Sequence, residues 1–161
     1  MRALPSQTYL HTHLDYSPES GELTWAMGRP GVRQGSIAGH LSASRGHVQV
    51  MLERRQYLAH RVIWKWMTGE DPPALIDHID RDPANNRWCN LRLATARQNT
   101  RNRAGWGKYL KGARPNGNGW RAQIVIDGKE RHIGQFATEL EAHERYKKVA
   151  AELHGSFACF D

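Results

Sequence analysis

The sequence of 161 residues contains no long hydrophobic run. A membrane-spanning helix needs about 20 consecutive apolar residues, and no segment of this chain approaches that length. The N-terminus also lacks the apolar stretch and the small-residue cleavage site that define a secretory signal. We therefore expect a soluble, cytoplasmic protein that has no membrane partner.

Cysteine is scarce, since Cys89 and Cys159 are the only two. They lack the CxxC spacing of a structural zinc site, and two residues are too few for a disulfide framework. We interpret both as free thiols and expect Cys89 to occupy a buried apolar position.

Positive charge is abundant but confined to one part of the chain. Nine Lys and Arg residues and only two acids lie between Arg97 and Gly134, so this segment accounts for the whole net charge of +7. A basic block of this kind is typical of proteins that bind a polyanion, because each neutralised phosphate releases counterions. The alternative is a solvated face that only aids solubility. Trp106, Tyr109 and Trp120 within the block favour nucleic acid.

The pattern of elements predicts an α+β protein built from two small units. We predict short strands over residues 1–58, and the spacing of Val62, Ile63, Trp66 and Met67 predicts a helix that ends before Gly69. For residues 74–103 we predict a strand, a polar turn, a second strand and a helix. Residues 104–110 are predicted to be a basic linker. Beyond it we predict a hairpin around Asp127-Gly128 and a helix that begins with a capping box at Thr138. The residues of this helix predicted to be buried are Ala142, Tyr146, Val149, Ala150 and Leu153.

Chemistry is concentrated in the predicted strand–turn–strand–helix segment. Asp77 offers an anionic metal ligand, Asn99 offers a neutral amide oxygen, and His78 offers an imidazole, the side chain best suited to proton abstraction near neutrality. Asn90 lies between them in sequence. Adjacent residues on a regular strand point to opposite faces, so we expect a bulge or twist at Asp77 and His78.

This pattern resembles the HNH endonucleases with a ββα-metal motif, specifically the phage-type nicking enzymes in which Asp-His forms the first pair. The resemblance implies that Asp77 and Asn99 hold one Mg²⁺ or Mn²⁺ ion, that His78 is the general base, and that Asn90 orients the imidazole. It also implies a phage or prophage protein acting inside a bacterial host. An amide oxygen at Asn99 makes a hard cation more plausible than zinc.

Other polar residues of the segment have a simpler interpretation. Asp80, Asp82, Asn85 and Asn86 suit a turn in which they cap backbone groups. His60 is interpreted as a structural histidine at the start of a buried helix, and His11 and His13 as surface residues.

The C-terminal region, residues 111–161, resembles an AP2 DNA-binding domain, a three-stranded antiparallel sheet packed on one helix. Alternation places Trp120, Ala122, Ile124 and Ile126 toward the helix and the intervening residues outward. Arg and Gln suit base edges and Lys suits phosphates. The side chains predicted to contact DNA are Arg114, Arg121, Gln123 and His132 on the sheet, Lys111 beside it, and Arg101 and Arg103 ahead of it.

Taken together, the sequence predicts an HNH domain over residues 1–103, with N-terminal strands over 1–58 and the ββα motif over about 74–103, and an AP2-like domain over 111–161. The expected activity is Mg²⁺-dependent nicking of double-stranded DNA, without a small-molecule cofactor. Two alternatives stay open. One is a DNA-binding regulator on an inactive nuclease scaffold, and the other is an RNA-binding or RNA-cleaving protein.

Overall fold

The computed structural model describes residues 3–43, 46–101, 108–126, 128–155 and 158. The chain divides into two compact units, Met1–Thr95 and Ala96–Asp161. The sequence also predicts two units but places the division at residues 104–110, after the predicted helix that carries Asn99. Most of that predicted linker, residues 104–107, lies outside the described residues. Within the described ranges, no helix is both long and apolar enough to cross a membrane.

The described residues of the first unit form two α-helices and seven short strands. In chain order the elements are α1 (Gln7–His13), β1 (Leu14–Tyr16), β2 (Leu23–Trp25), β3 (His40–Leu41), β4 (Val48–Leu52), β5 (Arg55–Leu58), α2 (Ala59–Thr68), β6 (Leu75–His78) and β7 (Leu91–Ala94). The pairings β1–β2, β3–β4–β5 and β6–β7 are all antiparallel.

Local chemistry explains where these elements begin and end. The Ser6 side chain accepts a hydrogen bond from the Tyr9 amide and so caps α1. Gly69 has a left-handed backbone (φ 83°) and ends α2, as predicted. The core beneath these elements is aliphatic and aromatic. Its largest fully buried side chains are Leu10, Leu14, Val50, Leu52, Val62 and Ile63.

The β6–β7 hairpin is regular. Asp77 pairs with Arg92 and His78 pairs with Leu91 in one unbroken antiparallel register. The bulge expected at Asp77 and His78 is therefore wrong over these described residues, while the expected twist stays a prediction. A single turn of 3-10 helix, Trp88–Asn90, leads into β7.

The second unit begins with α3 (Ala96–Arg101). It continues with the antiparallel strands β8 (Ala113–Asn116), β9 (Gly119–Ile126) and β10 (Lys129–Phe136), in spatial order β10–β9–β8. Helix α4 (Glu139–His154) has the predicted capping box, in which Thr138 and Glu141 exchange side-chain and backbone hydrogen bonds. Asp127, in the predicted hairpin turn, lies outside the described residues.

The alternation predicted for β9 is confirmed. Ala122 and Ile124 are buried toward α4, whereas Arg121 and Val125 are exposed. The contact between sheet and helix is close because its centre consists of Ala113, Ala122 and Ala142, each fully buried.

Two local predictions need correction. Cys89 is exposed rather than buried. Leu153 was expected in the α4 core but is 48% exposed, because the buried face of the helix ends at Ala150.

Candidate active site

Asp77 and His78 lie at the end of β6 and are both buried, with exposed fractions of 5% and 6%. Burial of two polar side chains next to each other is costly unless each has partners. Their partners differ, since Asp77 contacts an arginine of β7 and His78 contacts an asparagine of the turn.

Asp77 is held by an arginine on the neighbouring strand. Its Oδ2 accepts hydrogen bonds from Nε of Arg92 at 2.8 Å and lies 2.7 Å from the Nη2 of the same guanidinium. Arg92 is the cross-strand partner of Asp77, so the ion pair follows directly from the register. The pair fixes the carboxylate and balances its charge inside the unit.

His78 contacts an asparagine from the turn. Its Nε2 lies 3.2 Å from Oδ1 of Asn86, a residue that is itself 3% exposed. The Asn86 amide nitrogen donates to the Ala84 carbonyl, which leaves its oxygen for the imidazole. Because a carbonyl oxygen only accepts, His78 Nε2 is the donor in this contact.

Tyr16 fixes Asn86 from the other side. Its hydroxyl donates to the Asn86 carbonyl at 2.7 Å. Burial, with smaller effects of the nearby Cys89 and Glu19, raises the pKa of this tyrosine to about 12. Tyr16 therefore stays protonated and remains a donor throughout the neutral range.

The turn between β6 and β7 is held by a network around Asp80. The Asp80 amide donates to Oδ1 of Asn90, and the Asn90 amide nitrogen donates back to Oδ1 of Asp80 and to the Asn85 carbonyl. Burial by itself would raise the pKa of Asp80, but hydrogen bonds from the Asp82 amide and from the Asn90 and Asn85 side chains lower it. These contacts keep Asp80 ionised and the turn rigid.

The predicted role of Asn90 can now be stated more closely. Its side chain contacts the turn, and its carbonyl accepts from the Ile79 amide at 2.9 Å, one residue beyond His78. The side chain that contacts the imidazole is that of Asn86. The role of Asn90 in orienting the imidazole thus stays a prediction. Asn90 would exert that role through its backbone contact with Ile79. Asp80, Asp82 and Asn85 cap backbone groups as expected.

The turn at Ser17–Gly21 supports Asn86 from outside the motif. The Trp88 amide donates to the Pro18 carbonyl at 3.1 Å. A Cβ at Gly21 would lie 2.5 Å from the Arg87 nitrogen and 2.6 Å from the Asn86 carbonyl carbon, and its φ is +80°. Only glycine fits this close approach between the two backbones.

Two further histidines surround His78. The ring of His60, in the first turn of α2, stands edge-on to His78 with centroids 5.2 Å apart, and the His47 ring is 5.8 Å from His78. Burial lowers the pKa of His60 to about 3, helped by His78 and His47. His60 is therefore a neutral imidazole at physiological pH.

The first unit thus brings Asp77, His78 and Asn90 onto one hairpin, while Asn99 lies on α3 in the second unit. Sequence analysis missed Asn86 as a partner of His78, and it did not single out His47. The doubled asparagine at 85–86 was the available signal for Asn86. No motif marks His47, because it joins the site only through tertiary packing.

The residues predicted to bind DNA cluster on the sheet of the second unit. Arg114, Arg121 and Gln135 form one row across the three strands, and Gln123 pairs with His132 in an adjacent position. Arg121 and His132 are exposed, and Arg114 and Gln123 are half-buried. Arg121 lies 3.8 Å from Glu130, an exposed ion pair. Arg101 ends α3, and Arg103 lies outside the described residues.

Three of these predicted residues also share a cavity. Lys111, Arg114 and Gln123 line a space of about 520 Å³ within the second unit, together with Arg97 and Thr100 of α3. The cavity therefore carries cationic side chains from both the helix and the sheet of this unit.

Comparisons of the sequence and of the fold identify proteins that are similar to this chain. A family model described as HNH endonuclease matches residues 57–101. Protein 3.8 of Escherichia phage T7 is 31% identical over 114 residues, covering 63% of this chain and 88% of that protein. A solved structure of the HNH homing endonuclease I-HmuI, described as binding and cleaving DNA, covers 93% of this chain and 90% of its own, at 16% identity and a TM-score of 0.44.

The similarity extends over nearly the whole chain in one further relative. An uncharacterized HNH endonuclease of Acanthamoeba polyphaga mimivirus is 31% identical over 154 residues, which cover 94% of this chain and 73% of the relative. The chain belongs to the HNH endonuclease family.

Proposed function

We propose that this chain is a divalent-metal-dependent endonuclease that nicks duplex DNA, with His78 as the general base. The observation that carries the proposal is the buried His78 imidazole at the end of β6, held by Asn86 and adjacent in sequence to the buried carboxylate of Asp77. Hydrolysis of a phosphodiester needs a base for water and a positive charge near the phosphate.

His78 suits the role of base because its contact with Asn86 assigns the donor role to Nε2. Nδ1 is then the nitrogen proposed to take a proton from water. The chain Tyr16–Asn86–His78 then holds the ring in one orientation. Asn86 acts here as a positioning residue, and Asn90 holds the turn that follows His78.

The oxygen donors of Asp77 and Asn99 fit a hard cation. A carboxylate and an amide oxygen are ligands that suit Mg²⁺ or Mn²⁺ rather than a soft metal. A bound Mg²⁺ would supply positive charge to the scissile phosphate and the departing 3′ oxygen. Arg92 keeps the Asp77 carboxylate fixed while it is buried. The resemblance to the family implies 5′-phosphate and 3′-hydroxyl ends.

The second unit is proposed to hold the duplex in the manner of an AP2 domain. Arg114, Arg121, Gln123 and His132 share one face of the sheet, opposite α4. Lys111, Arg101 and Arg103 are assigned to the phosphates. Arginine and glutamine can form paired hydrogen bonds with base edges in the major groove, and lysine contributes charge.

One motif of this kind provides one active site, so a monomer is expected to cut one strand. The direct experiment incubates supercoiled plasmid with the protein and Mg²⁺. Wild type should yield open circles, and His78→Ala should reduce the rate by about 10² to 10⁴-fold. His40→Ala, which removes an exposed histidine of β3, is the matched control.

DNA binding measured in parallel separates the alternatives. Equal inactivity of wild type and His78→Ala across metals, with DNA binding intact, would identify a non-catalytic DNA-binding regulator. Tighter binding of RNA than of duplex DNA at matched salt would contradict the DNA assignment. Linear plasmid that forms without preceding open circles would contradict nicking.

A further inference from the structure

Three histidines from distant parts of the sequence meet inside the first unit. His47 precedes β4, His60 lies in the first turn of α2, and His78 ends β6. One ring nitrogen from each lies within 4.8 Å of those of the other two. Their ring centroids are 5.2 to 5.8 Å apart.

The geometry is close to that of a three-histidine metal site. Zinc–imidazole bonds of about 2.0 to 2.1 Å place two tetrahedral ligand nitrogens roughly 3.4 Å apart. Nitrogens that lie within 4.8 Å of one another would need to approach by at most about 1.4 Å to bind one ion. The cluster consists only of imidazole nitrogens, which suit zinc, nickel, cobalt or copper but not Mg²⁺.

We propose that His47, His60 and His78 form a second metal site, which takes Zn²⁺ or a similar transition-metal cation and thereby withdraws His78 from catalysis. The inhibitory part rests on the proposed function, because it requires His78 to be the general base. A metal-bound imidazole has used the lone pair that would otherwise accept a proton from water. Zinc would thus switch the nuclease off.

This site is distinct from the one assigned to Asp77. The Asp77 carboxylate contacts Arg92 on the neighbouring strand, whereas His78 contacts Asn86 and the rings of His47 and His60. The oxygen ligand at Asp77 and the nitrogen ligand at His78 therefore belong to different sets of side-chain contacts. The two sites differ in donor chemistry, so Mg²⁺ and Zn²⁺ need not compete for the same ligands.

Burial makes the cluster suitable for a metal. His60 and His78 are almost fully enclosed, and His47 is half-buried. Three protein ligands leave a fourth position for water or an anion, as in zinc sites with three histidines.

The binding experiment uses the full chain in millimolar Mg²⁺. Zn²⁺ titrated by calorimetry should bind at one ion per chain, and Co²⁺ should give the visible absorption bands of a tetrahedral nitrogen site. His47→Gln should weaken Zn²⁺ binding at least about tenfold, since even loss of a residue that only supports a ligand costs about 10 to 100-fold. His40→Gln, on exposed β3, should bind as wild type does.

Two results would overturn the metal site. One is wild type that shows no saturable Zn²⁺ binding and no rise in melting temperature with Zn²⁺. The other is His47→Gln that binds Zn²⁺ as tightly as wild type. Melting in metal-free buffer verifies that the variant is folded. If His47→Gln is unfolded, the test rests on the Zn²⁺ stoichiometry and the Co²⁺ spectrum of wild type. A spectrum without the bands of a tetrahedral nitrogen site would then reject the proposed metal site.

Activity tests the consequence. One equivalent of Zn²⁺ should lower Mg²⁺-supported plasmid nicking by wild type at least about tenfold, a zinc-selective chelator should restore it, and His47→Gln should resist. If zinc binds through His47 without slowing nicking, the proposal that zinc removes His78 from catalysis is wrong. A wild type that never nicks with Mg²⁺ would reject the proposed nuclease, while the calorimetry would still decide the metal site.

Discussion

The two units differ in where they keep their polar side chains. In the first, Asp77, His78, Asn86 and Asn90 are each at most 8% exposed. In the second, Arg121 and Glu130 have side chains 44% and 52% exposed. Catalysis requires groups fixed by several contacts in a low-dielectric interior, whereas DNA binding requires charges that can reach phosphates and bases. The difference matches the roles proposed for the units.

The hydrophobic cores of the two units differ in the size of their side chains. The first unit packs large aliphatic and aromatic side chains around its buried polar residues. The second has alanines at the centre of its contact between sheet and helix, which allows close approach and leaves the charged residues on the opposite face. A substitution in the first unit should therefore alter stability and catalysis together. A substitution on the sheet surface should alter binding alone.

Asp77→Asn should have the largest effect. It removes the charge that balances Arg92, and an uncompensated buried charge costs about 3 to 5 kcal/mol. Urea unfolding measures this loss, and nicking should be lost with it because the proposed metal ligand is gone. Asp15→Asn, on the exposed position of β1, is the control. Adding Arg92→Met should restore part of the stability but not the activity. Wild-type stability in Asp77→Asn would contradict an energetic role for the pair.

Gly21→Ala tests how tightly the turn supports Asn86. The added Cβ would meet the Arg87 and Asn86 backbones in addition to the strain of a positive φ, so we expect a loss of about 3 kcal/mol. Gly31→Ala has nearly the same φ of +78° and nothing within 4 Å, so it should cost only about 1 kcal/mol. Thermal melting of both variants gives the comparison. Equal losses would mean that the close approach is not important.

Acid should destabilise the first unit through His60. The pKa of this imidazole is about 3 in the folded protein and near 6.5 in the unfolded chain. The contribution of His60 to the free energy of unfolding is therefore complete above pH 6.5 and is lost as the pH falls toward 3. Between pH 7 and 5 the unfolding free energy should fall by about 2 kcal/mol from this residue. His60→Gln should show a correspondingly flatter pH dependence in urea unfolding. Parallel curves for the two proteins would contradict the assignment.

The sequence was most informative where the chemistry is local. The helix at residues 59–68, the capping box at Thr138 and the Asp77-His78 pair all follow from periodicity or adjacent residues. Asn86 and His47 were not recognised as neighbours of His78 because both contacts join separate segments. Arg92 was likewise visible only once the register was known.

Arg121→Ala should have the smallest effect on folding and a selective effect on binding. Its ion pair with Glu130 is exposed, and such pairs contribute about 0 to 1 kcal/mol to stability. A lost base contact should weaken DNA binding by about 1 to 3 kcal/mol. Lys148→Ala removes the same charge from exposed α4, which packs on the other face of the sheet, and should leave affinity nearly unchanged. Equal weakening by both variants in fluorescence anisotropy would mean that net charge, rather than the sheet surface, determines binding.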